Sequence, residues 1–217
     1  MNTITPVKLV IFDMDGTLLK QITILVFAEK LGITNELYKL MNTPMKSYQR
    51  SYKIAEYLKG QSKEQLLTWF RSIPLHDHVE EVLKELKEKH IATALVTNSY
   101  TFLAEDLQKR LGIDYLYANN LIIDNSIVTG EYQPHNSLLE ERFTGCKIHP
   151  ICKQSVVDEL CKRLEIRCEQ VIAVGDGNID ICMIQHAGIG IAFQAPPEVC
   201  KHADVCIHDM KEILNHL

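Results

Sequence analysis

The chain has 217 residues, 46% of them hydrophobic, and a formal net charge of −5, which is typical of a folded globular protein and not of a disordered one. The sequence shows no basic face and no apolar run near the roughly 18 residues of a membrane helix, so we predict neither a nucleic-acid nor a membrane partner. The first residues lack a signal-peptide pattern and the seven cysteines are scattered, which predicts a cytoplasmic protein with free thiols.

The first predicted strand, Val7 to Phe12, is mostly apolar and is followed at once by Asp13 and Asp15. Alternate residues of an extended chain point the same way, so both carboxylates are expected to face one site. Two carboxylates that close together repel each other, and the end of this strand therefore needs a compensating positive charge.

Residues 18–77 carry apolar side chains at three-to-four spacing, which predicts helices, with Gly32, Pro44, Gly60 and Pro74 between them. From residue 78 the pattern changes, because predicted helices now alternate with strands. The predicted strands are IATALVTN, a short strand and hairpin in YLYANNLIIDNSIVTGEY, and then VIAVGDG, GIGIAF and ADVCI.

Strands separated by helices of this length indicate a parallel sheet with helices on both faces, the doubly wound α/β fold. The helical block interrupts this alternation after the first strand. We therefore predict two domains, a core made of residues 1–17 and 78–217 and a helical cap made of residues 18–77.

Polar side chains follow three of the predicted strands, and the carboxyl ends of strands are where open α/β sheets bind ligands. In chain order these side chains are Asp13 and Asp15, then Thr97 and Asn98, then Asp176 and Asp180. Four carboxylates in one crevice need a cation to neutralise them. Oxygen ligands suit Mg²⁺, which also binds substrate phosphates, so the pattern predicts Mg²⁺ as cofactor.

The sequence DMDGT, a strand ending in threonine, a lysine and GDGNID together resemble the haloacid dehalogenase superfamily of phosphatases. The stretches VTNSYTFLAEDLQKRLGIDYLYANNLIIDNSIVTGE and VIAVGDGNIDICMIQHAGIGIAFQAPPEVCKHADVCI are similar to its phosphoserine phosphatase branch. The resemblance covers residues 7–17 and 78–210 and is weak in residues 18–77. It implies a Rossmann-like core, a small inserted cap of the C1 type, and a small phosphorylated metabolite as substrate.

The resemblance also implies a role for each motif residue. Asp13 would be the nucleophile that forms an aspartyl-phosphate, Asp15 the general acid and base, and Lys153 the cation that offsets their charge. The phosphate would be held by Thr97, Asn98 and Lys153. The Mg²⁺ ion would be held by Asp13, the backbone carbonyl of Asp15 and Asp176, with Asp180 orienting a metal-bound water or the lysine.

Other functions could use the same residues. A phosphotransferase would pass the aspartyl-phosphate to an alcohol, and a phosphate-binding module would not turn over at all. A dehalogenase is disfavoured because its reaction leaves no alkoxide for Asp15 to protonate. The sequence leaves the physiological substrate and the oligomeric state open.

The stretch after Thr17 departs from the phosphoserine phosphatase branch. It reads LLKQITILVF, with no acid before Glu29, whereas the branch has a glutamate there for the substrate ammonium. The cap arginine that meets the substrate carboxylate in the branch also has no secure counterpart. We therefore predict that phosphoserine is a poor substrate, that a neutral or anionic body is preferred, and that Lys20, Arg50 and Lys53 are the candidates to contact it.

Cys146, His149 and Cys152 lie at three-residue spacing in TGCKIHPICK, within a long predicted loop of residues 131–153. Such spacing raises the possibility of a zinc site. A fourth ligand is not evident and the spacing matches no familiar zinc finger, so we interpret the cysteines as packed or exposed thiols.

Overall fold

The computed structural model describes residues 6–136 and 149–217. Within these residues one sheet of seven strands has the order β4-β3-β2-β1-β5-β6-β7. Its strands are β1 (Leu9–Phe12), β2 (Ala92–Tyr100), β3 (Tyr115–Asp124), β4 (Ile127–Gln133), β5 (Val171–Gly175), β6 (Ile189–Phe193) and β7 (Val205–Ile207). Neighbouring strands are parallel except in the β3–β4 hairpin, which confirms the predicted α/β sheet.

Helices flank the sheet and also form the block that follows β1. In chain order they are α1 (Thr23–Leu31), α2 (Thr34–Asn42), α3 (Ser47–Tyr57), α4 (Lys63–Arg71), α5 (Val79–Glu88), α6 (Thr101–Leu111), α7 (Lys153–Leu164), α8 (Ile181–Ile184) and α9 (Pro197–Cys200). Two 3₁₀ helices span Cys168–Gln170 and Met210–His216. We call α1–α4 the cap helices; the division into two domains at residues 17 and 77 stays a prediction. None of the helices described here is long and apolar enough to cross a membrane.

Strand β1 lies at the centre of the core, and all four of its side chains are buried. Val10 and Phe12 pack into the cluster on one face of the sheet, and Leu9 and Ile11 pack into the cluster on the other. A strand that is covered on both faces has no polar side, which explains its continuous apolar sequence.

The order in which successive strands join the sheet changes direction at β1: strands β2 to β4 lie on one side of it and strands β5 to β7 on the other. Strand β2 pairs with one edge of β1 and β5 pairs with the other, so their carboxyl ends flank a crevice at the topological switch point. Asp13 follows β1 directly, and its backbone N–H donates to the carbonyl of Val174 at 3.0 Å. Asp176 follows β5 directly, so the order of strands brings the two aspartates together.

Several contacts attach the cap helices to the rest of the molecule, among them an ion pair between Arg71 of α4 and Asp106 of α6. Leu19 and Leu75 form an isolated β-bridge, which holds the segments entering and leaving the cap side by side. The hairpin also contacts the cap, since Val128 accepts a backbone hydrogen bond from Gly60 and donates one to Gln61, both at 2.9 Å. The β3–β4 hairpin therefore borders the same crevice as the cap helices.

Candidate active site

Asp13 and Lys153 form a buried ion pair at the centre of the crevice. Asp13 is 3% exposed and Lys153, the first residue of α7, is 1% exposed. The lysine Nζ donates to Oδ1 of Asp13 and also to Oδ1 of Asp180, the latter at 2.6 Å. Burial opposes the positive charge of Lys153, but Asp13 and Asp180 outweigh that effect and raise the lysine pKa. The structure thus brings together three residues that the sequence analysis placed in one site.

Asp180 shapes the loop that follows β5. Its Oδ2 accepts hydrogen bonds from the backbone N–H groups of Asp176 at 3.1 Å and Gly177 at 2.9 Å. A Cβ atom on Gly175 would lie 2.4 Å from the Cβ of Asp180, so only glycine permits this close approach. One oxygen of Asp180 therefore holds the loop while the other orients Lys153.

Asp13, Asp176 and Asp180 form a carboxylate cluster whose oxygen atoms lie within 4.8 Å of one another. Burial raises the pKa of Asp13 well above its usual range; Lys153 opposes that rise, and the two neighbouring acids add to it. Burial and the charge of Asp180 raise the pKa of Asp176 to about 6. One lysine cannot neutralise three acids, and their oxygen donors are the type that Mg²⁺ prefers, so the cluster fits a Mg²⁺ ion.

Asp15 is tied to the first cap helix. Its Oδ1 accepts a hydrogen bond from the backbone N–H of Thr23 at 2.8 Å and a second one from the Thr23 hydroxyl. Burial raises the pKa of Asp15, and the two hydrogen bonds from Thr23 lower it. The sequence analysis missed Thr23, and it also missed Thr17, whose hydroxyl donates to Asp176 at 3.1 Å.

Thr97 and Asn98 lie in an irregular part of β2, where the pairing with β3 shifts register between Val96 and Tyr100. The hydroxyl of Thr97 accepts a hydrogen bond from the backbone N–H of Ser99 at 3.1 Å. Among the described residues, none donates to the buried Oδ1 of Asn98. Asn98 lines the same cavity as Asp13, and a buried polar atom without a protein partner is a candidate contact for a ligand.

A cavity of about 300 Å³ lies between the strand ends and the cap helices. Its strand side carries Asp13, Asp15, Asp176 and Asp180 together with Thr97 and Asn98. Its cap side is different, because most of its side chains are apolar. They include Ile22, Ile24, Phe27, Met41 and Ile54 from the cap, with Tyr132 from the hairpin.

The three basic residues predicted to contact the substrate lie elsewhere, so the structure corrects that prediction. The Nζ of Lys20 lies 2.7 Å from Asp77, and Arg50 donates to the carbonyl of Thr43 at 3.1 Å. Lys53 borders a separate surface depression. Helix α3 turns residues 51 and 54 towards the cavity, and positions 50 and 53 are rotated by about 100° from them.

The proposed zinc trio can be followed only in part, because Cys146 lies outside the described residues. Cys152 is buried and accepts a hydrogen bond from the hydroxyl of Ser155 at 3.1 Å. Within residues 6–136 and 149–217 two groups of three potential metal ligands occur, and neither contains His149 or Cys152. The zinc hypothesis for this loop stays a prediction.

Comparison with known proteins agrees with this geometry. The family model for haloacid dehalogenase-like hydrolases matches residues 10–185. Phosphoserine phosphatase of Methanocaldococcus jannaschii is 31% identical over 216 residues, with 97% of each chain covered. A solved phospho-aspartyl intermediate analogue of phosphoserine phosphatase superposes with a TM-score of 0.83 at 30% identity, covering 98% of this chain and 100% of the other. A substrate-bound phosphoserine phosphatase superposes equally well, with a TM-score of 0.83 at 29% identity and coverage of 98% and 99%. The similarity therefore includes the cap helices as well as the sheet.

Proposed function

Because the chain belongs to the haloacid dehalogenase-like hydrolase family and is a phosphatase of that family, we propose that it hydrolyses a small phosphomonoester with an uncharged, largely apolar body. We further propose Mg²⁺ as its cofactor and an aspartyl-phosphate as its intermediate. One observation carries the proposal: the cavity is acidic and polar at the strand ends and apolar on the cap side.

In the first step a carboxylate oxygen of Asp13 would attack the phosphorus atom and form an O–P bond, while the bond to the leaving alcohol oxygen breaks. The buried ion pair with Lys153 opposes the effect of burial and favours the charged form of Asp13, and its hydrogen bond fixes the position of Oδ1. Lys153 also supplies positive charge for the phosphoryl group. A second buried contact, from Asp180, prevents the lysine from moving away from the nucleophile.

Asp15 would give its proton to the departing alkoxide and later take one from the attacking water. Thr23 holds one carboxyl oxygen of Asp15 with two hydrogen bonds, which leaves the other oxygen for proton transfer. Burial raises the pKa of Asp15, which favours the protonated form that the first step requires. Because Thr23 begins α1, the position of the cap and the position of this acid are coupled.

Thr97 and Asn98 would hold the phosphate oxygens opposite Lys153. The side-chain oxygen of Asn98 accepts no hydrogen bond from the described residues. A half-turn of this amide exchanges its oxygen and nitrogen, and would direct the NH₂ group towards a phosphate oxygen.

Asp13, Asp176 and the backbone carbonyl of Asp15 would hold the Mg²⁺ ion. When bound, the ion would neutralise the negative charge that the nucleophile and the phosphate bring into the same crevice. Asp180 would then serve the site indirectly, through Lys153 and the loop after β5.

The proposed preference for an uncharged substrate rests on the apolar cap side of the cavity. The ammonium of phosphoserine needs an anionic or polar partner, since an unpaired charge in a closed site is costly. Among the described residues that line the cavity, the carboxylates all follow strands β1 and β5, where the proposed metal and phosphate would lie. At the start of the cap, the cavity is lined by Ile22 and Ile24, which offer no charge to an ammonium group.

Hydrolysis of phosphoserine is the second candidate function, because the similar proteins are named phosphoserine phosphatases. The kcat/KM values for phosphoserine and n-propyl phosphate, measured with Mg²⁺ under one set of conditions, separate the two. We expect phosphoserine to be poorer by about tenfold, which corresponds to about 1.4 kcal/mol of transition-state discrimination. A preference for phosphoserine of the same size would instead establish the second candidate.

A further inference from the structure

A second group of potential metal ligands lies at the opposite edge of the sheet from the active site. Asp158 and Cys161 are three residues apart on α7 and so lie on one face of that helix. Cys168 is in the 3₁₀ helix that precedes β5, and His186 follows α8. Ligand atoms of Asp158, Cys168 and His186 all lie within 4.8 Å of one another, and Cys161 lies next to Cys168.

Two distances, one from Cys168 to Cys161 and one from Cys168 to His186, approach those of a tetrahedral metal centre. The two sulfur atoms of Cys161 and Cys168 lie 3.7 Å apart, and Cys168 Sγ lies 3.8 Å from His186 Nε2. Zinc bonds of about 2.3 Å to sulfur and 2.0–2.1 Å to nitrogen would place these pairs about 3.8 and 3.5 Å apart. Asp158 Oδ1 is 2.5 Å from His186 Nε2 and would need to move outward by roughly 0.8 Å to become the fourth ligand.

The surroundings also suit a metal ligand. The other ring nitrogen of His186 lies 3.5 Å from the side-chain amide of Gln154. Metal-bound histidines usually donate that second N–H to a fixed acceptor, and the alternative amide orientation of Gln154 supplies one. Cys161 is buried, whereas the side chain of Asp158 is 56% exposed, so an ion can reach the site from solvent.

We propose that Asp158, Cys161, Cys168 and His186 form a binding site for Zn²⁺. Mixed sulfur, nitrogen and oxygen donors favour zinc over the hard cation proposed for the active site. Asp158, Cys168 and His186 already form a group, and the side chain of Cys161 would turn towards them to complete the site.

The site would tie together two elements that serve the active site. Helix α7 begins at Lys153, and α8 follows Asp180 directly. Cys161 is eight positions after Lys153, or about 12 Å along the helix axis, so the zinc would not touch the reacting groups. A zinc ion here would instead hold α7, the start of β5 and the end of α8 in fixed positions relative to one another. It would thereby help to maintain the contact between Lys153 and Asp180.

Cobalt substitution tests the proposal on the full chain, purified under reducing conditions and freed of metal by a chelator. Titration with Co²⁺ should give one equivalent of tetrahedral cobalt with a thiolate charge-transfer band, which Zn²⁺ then displaces. Cys168→Ser should weaken Zn²⁺ binding by more than about 100-fold, since a direct ligand contributes more than the 10–100-fold of an outer partner. Cys206→Ser changes an exposed cysteine outside the group and should leave the titration unchanged.

A second measurement separates zinc binding from folding and from the active site. Zn²⁺ should raise the Tm of the unmodified protein and of Cys206→Ser, but not that of Cys168→Ser or His186→Gln. Asp13→Asn should keep the full thiolate–cobalt band, because its side chain belongs to the other site. The proposal is overturned if the reduced, folded protein shows no thiolate–cobalt band, or if the band survives in both ligand variants.

Discussion

The two sides of the active-site cavity are built on different principles. On the strand side, Asp13, Lys153 and Asp180 are buried charges, and each has a defined partner at hydrogen-bond distance. On the cap side, Ile22 and Phe27 present apolar surface without such partners. Under the proposed function, the strand side would carry out phosphate transfer and the cap side would select the substrate, so the two tasks would be separated in this molecule.

The energetic consequences of a change differ between the two sides as well. Removal of one member of a buried charged network leaves another charge unpaired, which is strongly unfavourable. Exchange of an apolar residue at the edge of a cavity alters packing or polarity but leaves no orphaned charge. We therefore expect large, all-or-none effects on the strand side and graded effects on the cap side.

The largest effect is expected for Asp13→Asn. An amide is a poor nucleophile and a weak metal ligand, so kcat should fall by at least about 10⁴-fold. Steady-state and single-turnover assays with a chromogenic phosphate ester measure the loss. Asp124→Asn, a change at the outer end of the β3–β4 hairpin, is the matched control and should keep full activity. Retention of more than a few per cent of activity by Asp13→Asn would show that another group is the nucleophile.

The second-largest effect is expected when the bound cation is removed. Three carboxylates and one lysine leave the cluster with an excess of negative charge. We therefore expect kcat to fall by roughly 10³–10⁵-fold after treatment with EDTA. Added Mg²⁺ should restore activity. Ca²⁺ should restore it poorly, because it prefers longer bonds and more ligands than Mg²⁺. Activity that survives exhaustive chelation would contradict the metal model.

A smaller, graded effect is expected on the cap side for Ile22→Glu. This residue precedes α1 and lines the cavity, so a carboxylate there would meet a substrate ammonium and be favoured by the helix N-terminus. The ratio of kcat/KM for phosphoserine over n-propyl phosphate should rise by about tenfold, or about 1.4 kcal/mol.

Ile127→Glu provides the control for this change. Ile127 is exposed to the same degree as Ile22, 43% against 44%, but lies at the tip of the hairpin. The substrate ratio should not move in this variant. An equal rise in both variants would mean that net charge, and not the cap side of the cavity, governs the choice of substrate.

The smallest effect concerns His76, which lies where the chain returns from the cap to the sheet. Its ring packs against Phe193 at 4.8 Å, and burial, followed by the charge of Lys20, lowers its pKa. The folded state therefore binds a proton less readily than the unfolded chain, whose histidine pKa is about 6.5. The free energy of unfolding should fall as the pH drops below about 6.5 and should level off once the folded-state pKa has been passed.

Thermal melts of the unmodified protein and His76→Gln at pH 7.5 and 5.5 measure this contribution. The variant has no imidazole to titrate, so its Tm should fall less between the two pH values. An identical fall in both proteins would assign the pH dependence to other groups. Phosphatase activity at pH 7.5 is expected to stay close to that of the unmodified protein, because His76 does not line the active-site cavity described here.

Much of the fold and of the strand side could be predicted from local patterns. Periodicity identified the parallel sheet, and the polar residues after its strands identified Asp13, Asp176 and Asp180, because strand ends of a doubly wound sheet meet at one edge. Local patterns were less reliable after β5. The helix expected between VIAVGDG and GIGIAF is only Ile181–Ile184, and the residues just before it form a loop whose backbone N–H groups at Asp176 and Gly177 donate to the side chain of Asp180.

The order of the elements and the charged residues that follow the strands could be predicted from local sequence, since both depend on neighbours along the chain. The side chains that surround those charges come from distant parts of the chain and depend on how it packs. Thr17 and Asp176 are 159 positions apart, and the contact of Thr23 with Asp15 depends on how the cap is seated. Arg50 and Lys53 had the appropriate charge but not the appropriate direction, because a helix turns by about 100° per residue and only packing decides which face meets the cavity. Lys20 precedes α1 and pairs with Asp77 instead.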